Sequence, residues 1–351
     1  MMFYYDEDRN VYPTHAAAVA SNRHCSFYFY DDVFKKVDWK TEPTETLDVL
    51  YRERAQQIRD QYDHVILCYS GGYDSTNILE TFYYNNILID EILLVGAFSQ
   101  DKQKGTDENH NGDIYLNAFP TLNGMHLPNT KITVADYTDH FTDPNNFTLI
   151  KKYGNEWTDH IGAFKSVHNL FWYDLKKFIG RDNNKKTCYI MGSDKPGYEA
   201  LEKCVRFNDL SVNDYGANYE DENFKRINFY NGTDDIVIKI MVKQAHVVMR
   251  FETLFVDMIM QGKTLPHGWQ REVAYMDRMK RMNSIIYNLR TPLQFESTKS
   301  MYSSLSARDM FMLSKTDSAM YRMTLEGMKT ISKHTAINRK HCFFSQPYYL
   351  K

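Results

Sequence analysis

His64-Val65-Ile66-Leu67-Cys68-Tyr69 is a short, mostly apolar run that passes directly into Ser70-Gly71-Gly72-Tyr73-Asp74-Ser75 and then into a helical pattern reaching Tyr84. A buried strand that empties into a tight loop at a helix N-terminus commits the chain to layered α/β packing. It also commits the loop to a chemistry. Two adjacent glycines let backbone N–H groups approach an anion closely and permit positive φ. Ser70 and Ser75 add hydroxyl donors, and the positive end of the following helix favours phosphate. Asp74 repels phosphate directly, so it is read as a ligand of Mg2+, the ion bridging carboxylate and phosphates.

The loop resembles the SGGxDS signature of the PP-loop ATP pyrophosphatases, a superfamily that includes asparagine synthetase, β-lactam synthetase, argininosuccinate synthetase, NAD synthetase and the tRNA-thiolating enzymes. The resemblance implies cleavage of ATP between the α and β phosphates. AMP passes to a substrate oxygen and pyrophosphate leaves. A strand before the motif and a helix after it are the context such a motif requires.

Length and composition fit an enzyme of this kind. The chain has 351 residues, 43% of them hydrophobic, enough for one large α/β core with a helical extension or for two domains. Cys25, Cys68, Cys188, Cys204 and Cys342 are scattered without a C-x-x-C pair, which speaks against a zinc ribbon, an iron–sulfur site or a disulfide framework. Cys68 and Cys188 lie in apolar runs and are read as core thiols. No signal peptide is visible at the N-terminus, and no run approaches ~18 consecutive apolar residues, so a cytoplasmic location and no membrane association are expected. A net charge of -3 with both signs dispersed leaves no basic footprint, so nucleic acid is not expected as a partner. Aromatic residues, 15% of the chain, are scattered and read as packing.

Along the chain, residues 1–43 read as an irregular N-terminal segment, 44–205 as the nucleotide domain and 206–351 as a helical C-terminal region completing the substrate site. Leu47, Leu50, Tyr51 and Ile58 share one face of a helix over 44–60. Further strands are predicted at 90–98, 131–135 and 187–191, with a helix over 163–179. Continuous apolar strands alternating with helices predict a mostly parallel sheet covered by helices on both faces, with ligand over the carboxyl ends of the strands. Residues 208–235 read as a long loop or active-site cover. Helices are predicted at about 241–261, 269–288 and 306–333, the first stopped by Gly262.

Within the superfamily, the order of elements is most similar to the synthetase domain of asparagine synthetase and β-lactam synthetase. Val95-Gly96-Ala97-Phe98, ending the second strand, is similar to the strand end that borders adenosine there, and the acidic Asp107-Glu108 stretch follows. Gly192-Ser193-Asp194, after the strand at 187–191, resembles the second acidic motif of that group, which would make Asp194 the second magnesium-side carboxylate. A strand-ending turn is the alternative reading. The resemblance departs at Met191, which stands where relatives carry Glu or Tyr, so the nucleotide half carries over better than the acceptor half. Lys195 is the nearest candidate for the lysine that assists across the phosphates, with Lys165 and Lys263 unranked against it. Arg290-Thr291-Pro292-Leu293 echoes an Arg-x-Pro-Phe element of the same group, or else is a helix end before proline.

The implied activity is that of an AMP-forming ATP-dependent ligase, which adenylates a carboxylate or amide oxygen before an amine or ammonia attacks. Its catalytic residues would be Asp74, Asp194 and Lys195, with Ser70, Gly71, Gly72, Ser75, Val95, Gly96, Ala97, Phe98 and Gly192 about the nucleotide. Met2 stands where glutamine-dependent relatives carry a cysteine nucleophile, and about forty residues precede the first predicted helix. No glutaminase domain is therefore expected, and nitrogen would come from ammonia, an amine substrate or a separate amidotransferase subunit. A nucleobase- or tRNA-modifying enzyme, a sulfonucleotide reductase and a non-catalytic nucleotide-binding protein are the other readings.

Overall fold

The computed structural model describes residues 2–96, 98, 111–136, 148–154, 157, 184–192, 195–199, 202–209, 223–260, 280–294, 322–323, 326 and 343–351. Its centre is a five-stranded parallel sheet in an α/β fold. The sheet strands are β4 (His64–Cys68), β5 (Glu91–Gly96), β6 (Lys131–Asp136), β7 (Thr187–Met191) and β10 (Phe224–Asn228), ordered β10-β7-β4-β5-β6. Every adjacent pair runs parallel. Residues on both faces of β4, β5 and β7 are buried, as their unbroken apolar runs demand.

From β4 the chain builds outward through β5 to β6. It then returns to lay β7 on the opposite side of β4, with β10 beyond. The strand order therefore reverses between β4 and β7, and a crevice at the carboxyl ends of these two strands is the expected ligand position in an open parallel sheet.

Helix α3 (Leu47–Gln61) begins at Thr46, whose side chain accepts from the Val49 N–H, and buries Leu50, Tyr51, Arg54, Ala55 and Ile58 along one face. Helix α4 (Tyr73–Tyr84) is buried without a break from Ser75 to Phe82, so it has neighbours all round rather than one wet face. After the short helices α5 (Phe119–Asn123) and α6 (Thr148–Tyr153), the long helix α7 (Asp235–Met260) packs on α3.

Two sequence expectations are corrected. Residues 1–43 are not irregular: β1 (Met2–Asp6), β2 (Val11–Tyr12) and β3 (Cys25–Phe29) form an antiparallel sheet, with short helices α1 (His15–Ala20) and α2 (Asp31–Phe34). This sheet joins a second antiparallel one, made of β8 (Gly197–Glu199), β9 (Cys204–Arg206) and β11 (Tyr348–Tyr349), beginning with the Phe27 N–H to the Phe344 carbonyl at 2.9 Å. Phe34 stacks on Phe207 at 4.7 Å and Trp39 on Tyr348 at 5.4 Å, so part of the aromatic content is core packing of α2 and the residues after it against the second sheet. The second correction is β10. It lies within the stretch read as a loop over 208–235, yet it supplies the fifth strand of the central sheet.

Other expectations hold closely. The strand at 187–191 is observed with those bounds, and the helix expected at 241–261 spans Asp235–Met260. The helix predicted over 163–179, the helix over 306–333 apart from three residues, Asp107-Glu108, Cys342, Lys165, Gly262 and Lys263 lie outside the described residues. Among the described residues no helix is long and apolar enough to cross a membrane. Burial pushes the Cys68 and Cys188 thiols up to about 12, in keeping with core thiols.

Candidate functional site

The Ser70–Ser75 loop leaves β4 at the reversal point of the sheet, and its shape is fixed from inside. Ser75, buried in the first turn of α4, reaches the Ser70 N–H at 3.3 Å, the Ser70 hydroxyl at 3.1 Å and the Gly72 carbonyl at 3.2 Å. Ser75 is thus the loop's brace, whereas Ser70 is exposed. Gly71 adopts φ +76, and a Cβ there would drive into the Asp113 carbonyl. The Gly71 carbonyl accepts from Asn117 Nδ2 at 3.1 Å. Gly72, at φ -84, is the N-cap of α4 and faces open space: an added Cβ would meet only Ser70 Oγ, at 3.5 Å. Backbone can therefore approach a ligand at Gly72, while Gly71 is packed against protein.

Asp74, in the first turn of α4, is the hub of the site. Its Oδ1 accepts Lys195 Nζ at 2.6 Å and the Tyr287 phenol at 2.6 Å, and its backbone carbonyl accepts Tyr230 Oη at 3.0 Å. The Asp74 side chain is 34% exposed and that of Lys195 11%, so the ion pair sits at a mouth open on the carboxylate side. Lys195 also donates to Asn283 Oδ1 at 3.0 Å and lies 4.7 Å from the centre of the Tyr287 ring. Burial, and then the Asp74 charge, push the Tyr287 phenol well above the ordinary tyrosine range, so it stands as a hydrogen-bond donor. Burial does the same to Tyr230, which is itself held by Asn77 Nδ2 at 2.8 Å.

The end of β7 closes against this hub. A Cβ on Gly192 would fall 2.9 Å from the Ser75 nitrogen and 3.1 Å from the Asp74 carbonyl carbon, so only glycine lets the end of β7 meet the first turn of α4. Met191, the last residue of β7, is half-buried, and its carbonyl accepts the Phe229 N–H. Asp194 and Ser193 lie outside the described residues, as does Ala97. Val95, Gly96 and Phe98 stand at the carboxyl end of β5, one strand from the loop. There the Phe98 N–H is held by Asp136 Oδ1 at 3.0 Å.

Several residues of the site carry no sequence signal of their own. Asn283 and Tyr287 stand four apart, on and just beyond the helix at 280–286, which places them on one side. A segment beyond them is tied to α4: Glu80 accepts the Arg290 and Thr291 N–H groups at 2.8 and 2.7 Å. Asn117 accepts the Gln294 N–H at 2.8 Å while holding Gly71. The Arg290-Thr291-Pro292-Leu293 echo therefore has a structural role in the site's wall.

A divalent cation fits the Asp74 side: Mg2+ commonly takes one or two carboxylates plus substrate phosphates, and Asp74 offers a half-exposed hard oxygen. No group of three or more His, Cys, Asp or Glu that could hold a metal unaided occurs among the described residues. Comparison of the chain with protein-family models, curated proteins and solved structures finds no match.

Proposed function

We propose that this protein is an AMP-forming, ATP-dependent ligase of the PP-loop type, acting in the cytoplasm on a small carboxylate. One observation carries the reading. At the point where the described parallel sheet reverses its strand order, a glycine loop leads into a helix N-terminus whose first turn carries Asp74, and Lys195 Nζ lies 2.6 Å from that carboxylate.

In this reading the triphosphate lies along Ser70–Gly72 and the first turn of α4. Open space at Gly72 admits close backbone approach, and the helix dipole favours the anion. The adenosine lies toward Val95-Gly96-Ala97-Phe98. Asp74, with Asp194 as its second carboxylate, would hold Mg2+, whose positive charge when bound stabilises the departing pyrophosphate. Lys195, beside Asp74, would add a second positive charge toward the same phosphates.

A substrate carboxylate oxygen attacks the α phosphorus, and the bond to the bridging oxygen of the β phosphate breaks. Amine or ammonia nitrogen then attacks the adenylated carbonyl carbon, AMP leaves, and the nitrogen loses a proton. Ammonia, an amine substrate or a separate amidotransferase subunit supplies the nitrogen.

The test is substrate-dependent ATP–pyrophosphate exchange across amino acids and small carboxylates, with products identified by mass spectrometry. AMP and pyrophosphate are expected. Asp74→Asn should abolish exchange while leaving adenosine binding largely intact. ADP and phosphate as products would refute the reading.

A further inference from the structure

The two carboxylate oxygens of Asp74 are unequal. Oδ1 takes both Lys195 and Tyr287, whereas Oδ2 takes no hydrogen bond from the described residues. Lys195 in turn is held on three sides, by that oxygen, by Asn283 and by the face of Tyr287. A lysine stem is flexible, and surface ion pairs seldom fix one. Here the ammonium is mostly buried and its directions are assigned by two residues from one helical segment.

That segment is seated independently of these contacts, by Tyr51 Oη on the Ile286 carbonyl at 2.9 Å and by Glu80 on the Arg290 and Thr291 N–H groups. The segment therefore has anchors besides the Tyr287 phenol and the Asn283 amide.

We propose that Asn283 and Tyr287 are positioning residues that hold Lys195 on Asp74 as an internal counter-cation, so that the site accepts a divalent cation only together with nucleotide phosphates. The inference rests on the nucleotide reading above. An ammonium beside Asp74 neutralises the carboxylate and repels a bare dication. A triphosphate offers the ammonium a stronger set of acceptors, and its departure from Oδ1 frees Asp74 for the ion. Metal and nucleotide then raise each other's affinity by the same factor.

Binding measurements test this without turnover. Mn2+ serves as the metal probe and a non-hydrolysable ATP analogue as the nucleotide, with thermal melts to confirm folding. The wild type is expected to bind Mn2+ alone weakly and the analogue with Mn2+ tightly. Lys195→Met should tighten Mn2+ binding alone by about tenfold while weakening the analogue. Tyr287→Phe, which keeps the ring, and Asn283→Leu should each tighten Mn2+ binding in the same direction by a smaller factor. A purely structural role predicts unchanged or weaker metal binding in all three, and that result overturns the inference. A wild type that binds no nucleotide even with Mn2+ overturns the nucleotide reading instead, and the transfer of Lys195 with it.

Discussion

Gly71 and Gly72 are neighbours in one motif and answer to different constraints. Gly71 sits at φ +76 with no room for a side chain against Asp113 and Ala118, so its glycine is required by the fold. Gly72 has ordinary φ and open space, so its glycine is required only if a ligand comes close. Gly71→Ala is expected to destabilise the protein by about 2 kcal/mol or more, read by chemical denaturation. Gly72→Ala should leave stability within about 0.5 kcal/mol and weaken ATP binding by at least tenfold, because the new Cβ stands where phosphate would. Equal destabilisation by the two changes, or unchanged ATP affinity in Gly72→Ala, would remove the loop from the site. The loop was legible in the sequence because two adjacent glycines between an apolar run and a helical pattern mark a tight strand-to-helix turn. The difference between its two glycines was not, since it depends on Asp113 and Ala118, more than forty residues away in a short helical segment that no local pattern connects to the loop. Tyr287 was equally hidden, reaching Asp74 across 213 residues of chain. Ser75 was read as a phosphate donor, and what the sequence did not show is that its hydroxyl also braces the loop from inside, on the Ser70 hydroxyl and the Gly72 carbonyl.

At the scale of elements, what could be read was what is buried on both faces. β4, β5 and β7 announce themselves as unbroken apolar runs. β10 does not: Phe224-Lys225-Arg226-Ile227-Asn228 forms an edge strand, mostly half-buried, whose charges resemble a loop. β3 carried a usable signal, since Cys25, Phe27 and Phe29 alternate with Ser26 and Tyr28 and are the buried set. The connection of 290–294 to α4 had no such signal, because it is made by backbone N–H groups whose residue types are immaterial. Glu80, buried on α4, satisfies two of them with one carboxylate. Glu80→Gln keeps the volume but turns one acceptor into a donor facing a donor, which should cost about 2 kcal/mol. Hydrogen exchange at the Arg290 and Thr291 amides should accelerate accordingly, while exchange in β4 follows only the change in global stability. Unaltered exchange at those two amides would show that Glu80 does not anchor the segment.

For the molecule as a whole, the phenols bind its parts together and make its stability depend on alkaline pH. Tyr51, Tyr230 and Tyr287 pack at 5.4 to 6.1 Å between ring centres, joining α3, the end of β10 and the 280–286 region beneath Asp74. Gln244 of α7 joins them through Tyr51 Oη at 2.9 Å. At the far end, Tyr4 of β1 lies beside Asp209, whose other contacts are the buried His15 and the Phe343 N–H. Burial raises all four phenols, Tyr4, Tyr51, Tyr230 and Tyr287, well above their ordinary value, with carboxylate or phenol neighbours adding to it. The unfolded chain releases these protons at about pH 10, whereas the folded chain retains them. Their contribution to stability is therefore fully present below about pH 10 and is lost as pH rises from there through the folded values. Each phenol still protonated in the fold should take away about 1.4 kcal/mol for every pH unit above that point. Denaturant titrations from about pH 8 to 11 should show a steep fall in midpoint beginning near pH 10, shallower in Tyr287→Phe because one such proton is gone. Tyrosinate absorbance should separate into two classes: exposed phenols ionising near their ordinary value, and a buried class appearing only as the protein unfolds. If all 26 tyrosines ionised near pH 10 with the fold intact, the phenols beneath Asp74 would be accessible to solvent, and the closed floor that holds Lys195 in place would not exist.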